Sequence, residues 1–132
     1  MKRVLWLLIL EIFILSGCTS VNSMRKAPQT GLSTEWVIGA NEASSIVQSI
    51  LASERINIKS VEALSNGDIL IVGTKGMSLM SYGEVVKVYL EQGKNGKITF
   101  YVESKPKLST NVFAEDHAPE ILNKINLTIG LK

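Results

Sequence analysis

Cysteine and histidine each occur once in the 132 residues, and that scarcity removes several kinds of protein at the outset. A single cysteine cannot close an intramolecular disulfide, so the fold must hold without one in either redox compartment. With one histidine and one cysteine, only scattered carboxylates remain, and none stands at the spacing a metal site needs. No metal or other cofactor is expected. An excess of one charge is lacking too: 14 Lys and Arg face 12 Asp and Glu, a formal net charge of +2. The basic pairs Lys2/Arg3, Arg25/Lys26 and the spaced Lys105/Lys107 are far apart in the chain. They do not make the concentrated stripe through which a protein grips nucleic acid, and no nucleic-acid partner is expected.

Catalytic signatures are equally sparse. His117 follows Asp116, but neighbours along a chain do not orient one another as a Ser-His-Asp triad requires, and no serine lies in a Gly-x-Ser-x-Gly turn. Gly73-Thr74-Lys75-Gly76 has the composition of a phosphate loop without its Gly-x-x-x-x-Gly-Lys-Ser/Thr spacing, and it reads as a flexible connection between strands. Glu115, Asp116 and Glu120 gather at an expected helix start, where carboxylates favour the helix dipole. The sequence therefore gives no reason to expect an enzyme.

What the chain does have is an organised N-terminus. Lys2 and Arg3 form a positive leader, and Val4 to Leu15 is apolar except for Glu11. That run is shorter than the roughly 18–20 residues of a permanent membrane span and has the anatomy of an export signal. Glu11 opposes insertion by about 2.5–3.5 kcal/mol at a helix centre, which weakens the signal without reversing it. The run ends at Leu15-Ser16-Gly17-Cys18, a stretch that resembles the lipobox of bacterial lipoproteins. The resemblance implies cleavage between Gly17 and Cys18, a diacylglyceryl group on the Cys18 thiol and a further acyl chain on the freed amine. Cysteine suits the role because its thiolate is the side-chain nucleophile best able to take a lipid as a thioether. Two or more chains give lasting attachment where one gives marginal binding. Thr19 lacks the aspartate that, in Gram-negative lipoproteins, favours inner-membrane retention, so the first placement implied is the outer membrane, facing the periplasm; in a Gram-positive source the same signal implies the outer face of the single membrane, and the sequence does not separate the two.

Residues 1–17 are thus expected to be a signal peptide, 18–35 a lipidated N-terminus and flexible tether, and 36–132 one small globular domain. The tether reading rests on the polar TSVNSMRKAPQTGLSTE, which shows no sustained apolar period. With 45% hydrophobic and 20% charged residues, the chain suffices for one modest core.

Within the domain, Ala43, Ile46, Val47, Ile50 and Leu51 follow one helix face, predicting a helix from about Asn41, its N-cap, to Glu54. Two β-rich runs, 56–64 and 69–74, flank Ser65-Asn66-Gly67-Asp68. A two-residue Asn66-Gly67 turn would pair Ala63 with Leu70 and Val61 with Val72. A second hairpin alternates Val86, Val88 and Leu90 against Ile98, Phe100 and Val102. A three-residue loop at Lys94-Asn95-Gly96 pairs Leu90 with Phe100, Tyr89 with Tyr101 and Lys87 with Glu103. Pro119 and the apolar Ile121, Leu122 and Ile125 predict a closing helix that stops at Gly130.

The expected fold is α+β: a four-stranded antiparallel sheet with an N-terminal and a C-terminal helix on one face, in the order αββββα. The arrangement loosely resembles small envelope lipoprotein domains. The outer sheet face, carrying Tyr89, Tyr101, Ile69 and Ile71, is the expected partner surface. Two functions stay open: a membrane-anchored, non-enzymatic binding or assembly module that meets an envelope protein or a second copy of itself, and a periplasmic small-ligand carrier or cell-wall hydrolase.

Overall fold

Among the described residues five strands, one more than the hydrophobic pattern predicts, pair into one antiparallel sheet. The computed structural model describes residues 31–76, 83–108 and 115–132 together with Met24. In chain order the elements are β1 (Leu32–Val37), α1 (Ala40–Ser53), β2 (Asn57–Ala63), β3 (Ile69–Lys75), β4 (Glu84–Gln92), β5 (Lys97–Pro106) and α2 (Ala118–Gly130). The sheet order is β1-β5-β4-β3-β2. The class is α+β, as expected, and the additional strand is β1. It takes Leu32 to Glu35 out of the stretch expected to be tether and pairs them with Val102 to Thr99 of β5. Leu32, Thr34 and Trp36 alternate with Ser33, Glu35 and Val37, a pattern that the polar residues around it conceal.

Helices α1 and α2 lie on one face of the sheet. Ala43, Ile46, Val47, Ile50 and Leu51 of α1 and Ile121, Ile125 and Ile129 of α2 are buried there against Ile71, Val88, Leu90, Phe100 and Val102. The N-cap of α1 is Gly39, whose carbonyl accepts the Ala43 N–H at 2.9 Å; no side chain caps this end, so Asn41 does not play the expected part. At the other end Arg55 takes a left-handed conformation, φ 58°. The Ile56 N–H reaches back to the Leu51 carbonyl and the Arg55 N–H to that of Ala52, the paired bonds of a Schellman closure. Ile56 is thereby delivered into the core beside Leu51.

The β4–β5 hairpin has the expected register, with Leu90 opposite Phe100, Tyr89 opposite Tyr101 and Lys87 opposite Glu103. Asn95 and Gly96 hold positive φ at its Lys94–Gly96 turn. The β2–β3 hairpin differs from expectation by one residue: Ala63 faces Ile69 and Val61 faces Ile71. Asn66 does not adopt the positive φ that a two-residue turn of that kind needs, whereas Gly67 does, at 89°. The loop instead closes through Leu64 N–H to the Asp68 carbonyl and Gly67 N–H to the Leu64 carbonyl. A one-residue slip exchanges the two faces of a strand. Ile69 and Ile71 therefore lie beneath the helices, and Leu70 and Val72 occupy the opposite face.

Gly73, Thr74 and Lys75 are paired residues of β3 and no flexible connection. Gly73 is needed for close approach: a Cβ there would sit 2.7 Å from Cγ2 of Ile56 and 3.0 Å from the Asn57 carbonyl oxygen.

Candidate functional site

The sheet face away from the helices carries Leu70 and Val72 from β3, Val85, Lys87 and Tyr89 from β4, and Tyr101, Glu103 and Lys105 from β5. In a two-layer domain such a face is ordinarily open to water. Here Leu70, Val72 and Val85 are buried, and Met24, 1% exposed, packs with them while Tyr89 flanks the cluster. A residue expected in the tether thus belongs to the fold. Met24 stands alone in a polar stretch, where no apolar period marks it.

Beside this cluster Lys87 is 1% exposed, with its Nζ 3.7 Å from Glu103 Oε2. Lys105 reaches the other carboxylate oxygen of Glu103 at 3.1 Å. Burial lowers the Lys87 ammonium pKa from its ordinary value, and the Glu103 carboxylate opposes the shift. Tyr89 donates its hydroxyl proton to Asp68 Oδ2 at 2.7 Å, while the other oxygen of Asp68 accepts the Gln92 N–H at 2.9 Å. Burial, then the Asp68 hydrogen bond, raises the Tyr89 pKa.

Of the four residues expected on a partner face, the structure brings Tyr89 and Tyr101 together on this one, each half-buried. Ile69 and Ile71 are corrected to the helix-covered core by the register slip. Gly17 and Cys18 lie outside the described residues, as do Thr19 and the Arg25/Lys26 pair.

His117 is buried at the start of α2, its Nε2 3.4 Å from Glu84 Oε2. Glu84 Oε1 accepts the Glu115 N–H at 3.2 Å, and Asp116 accepts the Ala118 N–H at 3.0 Å. Glu120 pairs with Lys124 one turn along α2. The chain neighbours Asp116 and His117 are thus turned to separate tasks, both of which secure the start of α2.

Between the helices runs an open cleft of about 370 Å³ lined by Ser45, Ile46, Ser49, Ile50 and Ser53 of α1 and by Thr128 of α2. The Lys132–Glu42 ion pair borders it. Among the described residues no group of three or more His, Cys, Asp or Glu gathers as a metal site. No described helix is long and apolar enough to cross a membrane. Neither a protein-family model nor a curated protein sequence matches this chain.

Proposed function

We propose that this chain is a lipid-anchored protein of the bacterial cell envelope, a non-enzymatic binding or assembly module held through Cys18 at the outer membrane and facing the periplasm. The observation that carries the reading is Leu15-Ser16-Gly17-Cys18 at the end of a positively led apolar run. Cleavage before Cys18 removes none of the described elements, whose earliest residue is Met24, so maturation is compatible with the fold. Confinement to a membrane raises the effective concentration of any partner on the same surface, so a small domain needs only modest intrinsic affinity. Tyr101 is the position on the second face best suited to probing contact with such a partner. Tyr89 is tied to Asp68, and its replacement perturbs the fold as well.

The test is Cys18→Ser in the full chain, followed by precursor size and incorporation of a labelled fatty acid. An unprocessed, unlabelled precursor is expected; normal processing and labelling of the variant would overturn the reading. Cross-linking in the native envelope, with the unlipidated domain as control, then identifies the partner, whose capture is expected to require the anchor.

A further inference from the structure

We infer that the anchored domain has a defined orientation, with the Met24-covered sheet face turned toward the bilayer surface and the α1/α2 layer turned away from it. The inference rests on the lipoprotein reading and adds to it the position of Met24. A tether free from Cys18 to Glu35 would have a root-mean-square reach of roughly 22 Å and would let the domain tumble. Met24, however, is buried on Leu70, Val72 and Val85, and it follows Cys18 by only six residues. Whatever path this six-residue step takes, it spans at most roughly 20 Å at full extension.

That length decides which surface the membrane meets. The Cys18 lipid lies at the bilayer, so the path from it leads within six residues to Met24 on the second face, the earliest described residue of the fold. To lay the helix layer on the membrane, the same few residues would have to pass sideways over at least one strand spacing of about 5 Å. They would then cross the sheet, about 10 Å deep with its side chains, and a helix layer about 10–12 Å across. The path is roughly 25 Å or more, longer than full extension allows. The second face, with Lys105 exposed and Tyr101 half-buried on it, is within reach directly. A protein meeting Tyr101 is then one that itself lies at the membrane, while the Ser45–Ser49–Ser53 side of α1 looks outward.

The chemistry of the chain makes this measurable. Cys18 is the sole cysteine, and its sulfur is blocked as a thioether in the mature protein, so an introduced cysteine is a unique labelling site. Two full-length variants, Lys105→Cys on the second face and Ser49→Cys on the exposed side of α1, are expressed, lipidated and labelled with a fluorophore. They are then reconstituted into phosphatidylethanolamine/phosphatidylglycerol vesicles containing a headgroup nitroxide quencher. Quenching several-fold stronger at position 105 than at 49 is expected, and a flexible Gly/Ser insertion of about 20 residues directly after Thr19 should bring the two positions close to equality. Equal quenching without the insertion, or stronger quenching at 49, would overturn the orientation. The intact mass of each protein, measured before reconstitution, separates this failure from that of the underlying reading, because a chain without the lipid mass removes the ground of both.

Discussion

The Tyr89 hydroxyl donates to Asp68 at 2.7 Å, joining the end of the β2–β3 loop to the middle of β4. Asp68 is otherwise a carboxylate at a hairpin turn, where water would ordinarily surround it; here it is 6% exposed and also accepts the Gln92 N–H. Those two bonds tie the start of β3 to β4, where Ile69 lies opposite Leu90, while the loop bonds of Leu64, Asn66 and Asp68 set Ile69 opposite Ala63; together they fit the placement of Ile69 and Ile71 beneath the helices. Tyr89→Phe is expected to lower the unfolding free energy by about 1–2 kcal/mol, measured by urea denaturation at neutral pH.

The same bond has a pH signature. Because the folded-state pKa of Tyr89 is raised above its ordinary 10.0, its contribution is fully present below pH 10 and is lost as pH rises through the higher folded value. The stability difference between the wild type and Tyr89→Phe should therefore be flat from pH 7 to 9 and shrink above pH 10. A difference that stays constant to pH 11 would show that the hydroxyl titrates alike in the folded and unfolded chain.

Arg55 pairs a demanding backbone conformation with an unsuited residue. Its φ of 58° closes α1 and is the conformation glycine adopts freely, whereas an L-residue pays roughly 1–2 kcal/mol for it. Glycine gives back part of that through the greater freedom of its unfolded chain. Arg55→Gly is expected to stabilise the domain by about 0.5–1 kcal/mol, read as a higher urea midpoint at unchanged slope, and Arg55→Val to destabilise it.

Particular residues show what the sequence disclosed and where it stopped. The stripe Ala43 to Leu51 and the alternation of Val86, Val88 and Leu90 against Ile98, Phe100 and Val102 were legible because each buries a single face with one period. The β4–β5 register followed, since only a three-residue loop sets apolar residues opposite one another. In β3 that logic gave no discrimination: Ile69, Leu70, Ile71 and Val72 are apolar on both faces, so a slip of one residue costs nothing in hydrophobic pattern. Bonds of the loop and of Asp68 fit the register observed, and they are invisible without Tyr89 in place. Met24 and β1 were hidden for another reason. One methionine has no period, and Leu32, Thr34 and Trp36 meet the rest of the fold through partners more than 60 residues away. Of the candidate site, the facing tyrosines were legible from hairpin arithmetic, whereas the cover over that face was not.

Asn126 illustrates such a distant partner. Its side-chain oxygen accepts from Thr34 Oγ1 at 2.7 Å and from Trp36 Nε1 at 2.8 Å, fastening β1 to α2. Asn126→Ala leaves both donors without this acceptor and should cost about 1–3 kcal/mol. Asn126→Asp keeps the acceptor and should recover most of the loss. Amide exchange along β1 is the informative readout, because release of this edge should raise exchange from Thr34 to Val37 before it affects β3.

Met24 carries the consequence that reaches from packing to anchorage. A methionine in a solvated linker could be replaced by alanine with a change within about 0.5 kcal/mol, as at most surface positions. At 1% exposure against Leu70, Val72 and Val85, removing its side chain should instead cost about 2 kcal/mol or more. Urea unfolding of the unlipidated domain, begun at residue 19, distinguishes these outcomes. Met24→Asp should have a second effect, because an unpaired carboxylate is driven out of the cluster and draws its segment away from the sheet. Under the proposed Cys18 anchor, that release would leave β1 as the next described attachment and lengthen the leash. The orientation proposed above should then be lost at the vesicle surface while the helices and central strands stay folded, a separation that circular dichroism and the paired quenching measurement read together.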